Sequence, residues 1–324
     1  MSAVLSAEAP IESTLRHYDV GVLVNAQAAS HGIENLNYIL DVEQDGRTKH
    51  YVLTFVQQAS YAGHAYVPMM EALVQFGLPV PAPIKNSSGE PVTRESERSA
   101  MLQPCLPGRH VVNPTAKQIS GLARFIARMH QTMSKTNVTL PPHPRDVGWL
   151  QTEAEGVAKV LGYADTALLQ ASISKVTSLL SRNDVRTLPT GMIHGDLFRD
   201  NVLFNERGLT GVLDFHHAAD GYWLYDLAVA ANDWCSDASG QLHFDRVRTL
   251  LRAYHSIRPL TERELWFFSA FTLYAALNFW VSRLKGVVAK QDGQNVRTKD
   301  PGEFKRIIQH HSAHQLFLDP RILD

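Results

Sequence analysis

Ile193-His194-Gly195-Asp196-Leu197-Phe198-Arg199-Asp200-Asn201, followed after a short gap by Val212-Leu213-Asp214-Phe215, decides how this chain reads. The stretch holds a carboxylate, an amide a few residues later, and a second carboxylate closing an apolar run. Phosphoryl transfer asks little covalent chemistry of a protein. It needs the attacking hydroxyl oriented, and the charge of the phosphates met by metal ions and fixed groups. Asp196 suits the first task, since its carboxylate can accept a hydrogen bond from an acceptor hydroxyl. Asn201 and Asp214 suit the second, because a hard cation such as Mg²⁺ takes neutral and anionic oxygen donors. The runs 201–204 and 209–214 read as a hairpin turned through Asn205-Glu206-Arg207-Gly208, which brings Asn201 and Asp214 to the same end. Any one of these residues could be a turn cap. Their joint spacing is what points to the chemistry.

Upstream, residues 1–103 read as β-rich with one helix. The runs 37–42 and 49–56 are strand-like, and Gln44-Asp45-Gly46-Arg47 supplies the turn of a hairpin. A helix is expected from Tyr66 to Phe76, stopped by Gly77 and Pro79-Val80-Pro81. Segments 82–84 and 100–103 are expected to form a further strand pair. Pro104 to Arg109 breaks the pattern and reads as a linker. Beyond it the apolar spacing turns helical, first at Ile119, Leu122, Ile126, Met129 and Met133 behind the start signal Asn113-Pro114-Thr115. Further helices are expected near 151–182, 222–235, 241–256 and 262–284. The expected domains are therefore a small β-sheet lobe over 1–103 and a larger, mainly helical lobe over 104–324.

With 324 residues, 44% apolar and 19% charged, the chain is long enough and apolar enough for a substantial core. A formal net charge of −1 offers no basic footprint for nucleic acid and no polybasic membrane patch. The two cysteines, Cys105 and Cys235, lie in no metal-ligand spacing and read as reduced. The histidine pairs 216–217 and 310–311 are adjacent and diverge on any regular element, which argues against zinc. Met1 to Pro10 lacks the charged and apolar regions of a secretory signal. The uncharged run 265–282 carries Ser269, Thr272, Tyr274 and Asn278, and reads as a buried helix rather than a membrane span. A soluble, cytoplasmic protein acting on a small molecule is the expectation; oligomeric state is left open.

The motif, the two-part plan and the length resemble the aminoglycoside-phosphotransferase and choline-kinase group of small-molecule kinases. Within it, further segments are similar to the bacterial homoserine kinases: 34–38, 51–54, 77–81, 106–109, 194–204, 224–235, 276–284 and Lys299-Asp300-Pro301. The resemblance implies an α+β, bilobal, protein-kinase-like fold. It also implies transfer of the ATP γ-phosphoryl group to the hydroxyl of L-homoserine, in threonine biosynthesis. By that resemblance Asp196 is the catalytic base and Asn201 and Asp214 hold Mg²⁺. The nucleotide is expected at Ser30, His31 and Gly32 and along the backbone from Gln103 to Cys105. His194 and Asp226 are expected to hold the catalytic loop rather than touch substrate. Thr54 stands where many kinases of this fold carry a strand lysine, and Glu71 where that lysine's partner would sit.

A small zwitterionic acceptor needs an anion for its ammonium and a cation for its carboxylate. Asp233, with Asn232, is the candidate for the first, and Arg283 or Arg199 for the second. Asn37 and Tyr38 are candidates for contact with substrate or nucleotide. The competing possibility is that these charged residues pair with each other, as buried charges usually must. Two other functions stay open on sequence: a sibling kinase for an amino alcohol, aminoglycoside or methylthioribose-like acceptor, and a silent nucleotide-binding regulator.

Overall fold

The computed structural model describes residues 5–29, 36–56, 64–95, 98–294, 298–313 and 318–323. The chain divides into two compact units between Pro107 and Gly108. This is later than the expected break at 103/104, because the last strand of the first unit runs on to Pro104.

The first unit is built on an antiparallel sheet. Helix α1 (Leu5–Leu15) precedes β1 (Val22–Ala28), β2 (Leu36–Gln44) and β3 (Arg47–Val56). Helix α2 (Val67–Gln75), β4 (Thr93–Glu95) and β5 (Arg98–Pro104) follow, and the strand order is β1-β2-β3-β5-β4. The β2–β3 hairpin forms as expected. Gln44 pairs with Arg47, and Asp45 and Gly46 take φ of 52° and 69°, the doubly left-handed turn that matches the twist of paired strands. Alternate residues Leu40 and Val42, Tyr51, Leu53 and Phe55, and Ala100 and Leu102 share one buried face, which Ile11 and Leu15 of α1 cover. Helix α2 ends where Gly77 takes φ 76°.

Three elements here depart from the sequence reading. α1 carries Pro10 inside it, and β1 alternates poorly, so neither shows a clean period. Residues 82–84 are not a strand: Ile84 N–H donates to Leu102 O, and the strand on the other side of β5 from β3 is β4.

The second unit is mainly helical. Its helices are α3 (Ala116–Met133), α4 (Val147–Ala158), α5 (Tyr163–Leu180), α6 (Trp223–Trp234), α7 (Phe244–His255), α8 (Glu262–Gln291) and α9 (Gly302–Ala313). Two small strand pairs interrupt them: β6 (Thr190–Ile193) with β9 (Ala219–Tyr222), and β7 (Val202–Asn205) with β8 (Gly208–Val212). Thr115 caps α3 and Thr261 caps α8, each in a reciprocal capping box, with Gln118 and Glu264 respectively. The helical stretch expected near 151–182 consists of two helices, α4 and α5, with Gly162 at the N-cap of α5. Helix α8 packs against α4, α5, α6 and α9. Long and apolar enough to cross a membrane, it has 83% of its most apolar window buried inside the protein.

Candidate active site

The sequence at 193–217 folds into β6, a loop, a 3-10 turn at Arg199–Asn201, the β7–β8 hairpin, and a second 3-10 turn at Phe215–His217. Val202 pairs with Val212, and Leu213 N–H donates to Asn201 O at 2.8 Å, so the hairpin's open end brings residues 201 and 214 together. The Asn201 amide nitrogen donates to the backbone and side-chain oxygens of Asp196, both at 2.8 Å. Asn201 Oδ1 has no hydrogen-bond partner among the described residues. Asp214 is held at φ 60°, ψ 71°, a left-handed conformation that a non-glycine residue keeps only where its surroundings impose it.

The two carboxylates ionise differently. Desolvation and the negative charge of Asp214 push Asp196 up to about 8, against the pull of Arg145 and Lys299. Asp214 feels desolvation too, yet His216 outweighs it. The His216 Nδ1 lies 2.6 Å from Asp214 Oδ1, and its hydrogen bond and charge, helped by His217, hold the carboxyl below the usual carboxylate range. Solvent still reaches the Asp214 carboxylate, which is 45% exposed. The site thus offers one anion ready for a cation and one carboxyl that keeps its proton near neutrality.

A second layer fixes the loop to α6. Asp226 Oδ2 accepts from His194 N–H (2.9 Å) and from His130 Nε2 (3.1 Å), while Oδ1 accepts from Gly195 N–H (2.8 Å). His130 in turn accepts from Tyr254 Oη (2.8 Å) and stacks on Trp223. His194 donates from Nε2 to Leu213 O (2.9 Å) and accepts at Nδ1 from Asp196 N–H (3.2 Å), which assigns its neutral tautomer. Burial lowers its pKa. Gly195 takes φ 78°, and a Cβ there would stand 2.7 Å from His217 O, so only glycine fits. Trp234 Nε1 donates to Leu197 O at 3.0 Å.

The charged residues expected to read a substrate behave otherwise. Asp233 accepts from Arg199 three times: from the backbone N–H (2.7 Å), Nε (3.1 Å) and Nη2 (3.2 Å). Arg199 and Asp233 therefore satisfy each other and tie the loop to α6. Asn232 donates to Thr272 O (2.8 Å) inside the helical core. Arg283 pairs with Glu303 (2.7 Å) and donates to Asp300 O (2.6 Å). Buried charges found partners within the protein, as desolvation demands.

In the first unit, Thr54 Oγ1 donates to Asn37 Oδ1 (2.7 Å), and Tyr38 packs edge-on against Phe55. Gln103 Nε2 donates to Pro81 O (2.6 Å), and Cys105 N–H to His50 O (3.0 Å), which engages that amide within the sheet. Glu71 forms a solvated ion pair with Lys85 at 3.4 Å. Ser30, His31 and Gly32 lie outside the described residues. Sequence reasoning missed His216, Arg145 and Lys299. Only His216 carried a usable signal, its position two residues after Asp214.

A loop carboxylate, its amide neighbour and an ionised aspartate at the end of a hairpin form the layout that phosphoryl transfer requires. The chain belongs to the phosphotransferase enzyme family, whose model matches residues 25–260. It is 36% identical to the homoserine kinase of Methylobacillus flagellatus over 304 residues, covering 94% of this chain and 92% of that one. It is 33% identical to the homoserine kinase of Pseudomonas aeruginosa, with 94% of each chain covered. Among solved structures, an amicoumacin kinase shares the fold at a TM-score of 0.69 and 14% identity, over 96% of this chain and 95% of that one. A choline kinase from Streptococcus pneumoniae does so at 0.64 and 13%, over 95% and 100%.

Proposed function

We propose that this protein is a homoserine kinase, moving the γ-phosphoryl group of ATP to the hydroxyl of L-homoserine to give O-phospho-L-homoserine and ADP. The observation that carries the reading is its near full-length kinship with enzymes named for that reaction. The joint geometry of Asp196, Asn201 and Asp214 supports it. The setting is the cytoplasm and the pathway threonine biosynthesis.

The residues present fit Mg²⁺ held with a nucleotide. Asp214 is an ionised oxygen donor open to solvent, and Asn201 turns its nitrogen to Asp196 while its oxygen has no described partner. Bound there, the ion supplies charge neutralisation at the phosphates. Asp196 accepts the proton of the homoserine hydroxyl. Part of what raises its pKa is the charge of Asp214, so a cation held by Asp214 would lower it toward that of a working base. Asn201 holds the Asp196 carboxylate in place, and His194 and Asp226 hold the loop.

The test is ADP release by the purified protein with Mg·ATP on L-homoserine, L-serine, choline, ethanolamine, methylthioribose and kanamycin. Turnover on homoserine well above the rest is expected. Turnover concentrated on another acceptor would overturn the substrate assignment.

A further inference from the structure

Phe198, two residues beyond Asp196, packs edge-on against Phe279 at 4.6 Å, and Phe279 stacks on Phe304 at 5.3 Å. Cations surround this aromatic cluster: Arg145 over Phe279 (5.5 Å), Arg283 over Phe304 (4.5 Å) and Lys299 over Phe198 (5.6 Å). Two of the three already hold an anion, Arg283 with Glu303 and Lys299 with Asp200. Arg145 is different. Its guanidinium lies over the rings of Phe279 and Trp149 (5.9 Å), and no described residue gives it an ion pair or hydrogen bond.

Arg145 is also fixed in place. Tyr274 Oη and Asn278 Nδ2 both donate to its backbone carbonyl, at 2.6 and 2.9 Å. The next residue, Asp146, caps α4 by accepting from Trp149 N–H at 2.7 Å. A half-buried arginine so anchored, stacked on aromatic faces, presents a preformed planar fork for a carboxylate. It lies over Phe279, whose ring packs against Phe198 on the loop that bears Asp196, and its charge is felt at the Asp196 carboxyl.

We infer that Arg145 binds the α-carboxylate of the amino-acid acceptor and so separates amino acids from amino alcohols of the same length. This rests on the homoserine kinase reading and deepens it by naming the residue that sets the acceptor class. It replaces Arg199 and Arg283 in that role, since both are already paired.

The test compares wild type with Arg145→Gln and Arg145→Lys on two acceptors, L-homoserine and its decarboxylated counterpart 3-aminopropan-1-ol. Loss of a charge-assisted pair predicts a rise in KM for homoserine of about ten- to a hundredfold in Arg145→Gln, with a smaller rise in Arg145→Lys. KM for 3-aminopropan-1-ol and for ATP should move less than about twofold, so the preference for the amino acid collapses. An equal loss on both acceptors would mean that Arg145 serves the phosphoryl group, and no loss on either that it serves neither; each overturns the inference. Both variants should fold, because the anchoring bonds use the backbone carbonyl. Wild-type turnover on homoserine is read separately: with it present and the preference unchanged in the variants, only the role of Arg145 fails. Its absence overturns both readings.

Discussion

The catalytic loop and the aromatic cluster around Phe279 lie in the same unit but are built on opposite principles. Along 194–201 nearly every polar group is tied down: Asp226 takes three donors, Asp233 takes three from Arg199 while Val112 O takes its Nη1, and Trp234 holds Leu197. The cluster is held by ring packing, and one of its two arginines, Arg145, has no ion pair or hydrogen bond to its side chain among the described residues. A phosphoryl-transfer centre needs geometry fixed before substrate arrives, and fixed geometry comes from satisfied internal partners. A recognition surface needs the reverse, a charge kept in place with its partner missing. The unpaired group is where a ligand belongs.

That contrast predicts unequal responses to substitution. Asp196→Asn should lower kcat by about 10²–10⁴-fold while nucleotide affinity stays within a factor of about two, read by steady-state kinetics and calorimetry. Loss of nucleotide binding in a folded mutant would contradict its role at the acceptor. Asp226→Ala leaves three buried donors unpaired and should cost about 3–5 kcal/mol in chemical denaturation. Arg145→Gln should stay within about 1 kcal/mol of wild type in the same assay. Equal costs at the two positions would erase the distinction between the regions. Asp214→Ala should weaken Mg·ATP binding at least about tenfold, and unchanged affinity would mean the metal lies elsewhere.

The smallest effect concerns pH. A carboxyl whose folded pKa is raised binds its proton more tightly in the folded state. The resulting stability is full below the unfolded carboxylate value and is lost as pH rises through about 8. Asp196→Asn has no proton to lose. Measured without metal, its melting temperature should therefore gain on wild type by on the order of 2–4 °C as pH goes from 6 to 9. A gap that stays constant across that range would show that Asp196 ionises normally.

The arrangement of Asp196, Asn201 and Asp214 was legible in the sequence because it is local. The 201–214 hairpin, its turn and the residues at its open end all follow from spacing within one short stretch. The α+β plan was legible too, from the 2-residue period of β2 and β3 and the helical period of α3. What lay beyond the sequence is tertiary. That Arg199 meets Asp233 depends on how α6 docks against the loop, and no local pattern encodes it. Arg145 sits in the Pro-rich segment 141–146 with no periodicity at all, and its meaning comes from α8 residues Tyr274, Asn278 and Phe279 far along the chain. β9 is only four residues long and includes Gly221, too short a run to be read as a strand.

The most direct measurement is phosphorus NMR of the reaction products of wild type and Asp196→Asn, each incubated with Mg·ATP and L-homoserine. Wild type should give a phosphate monoester coupled to a methylene, growing in step with ADP, and the mutant essentially none. Inorganic phosphate as the only new product of wild type, or ester formation at wild-type rate by the mutant, would contradict it.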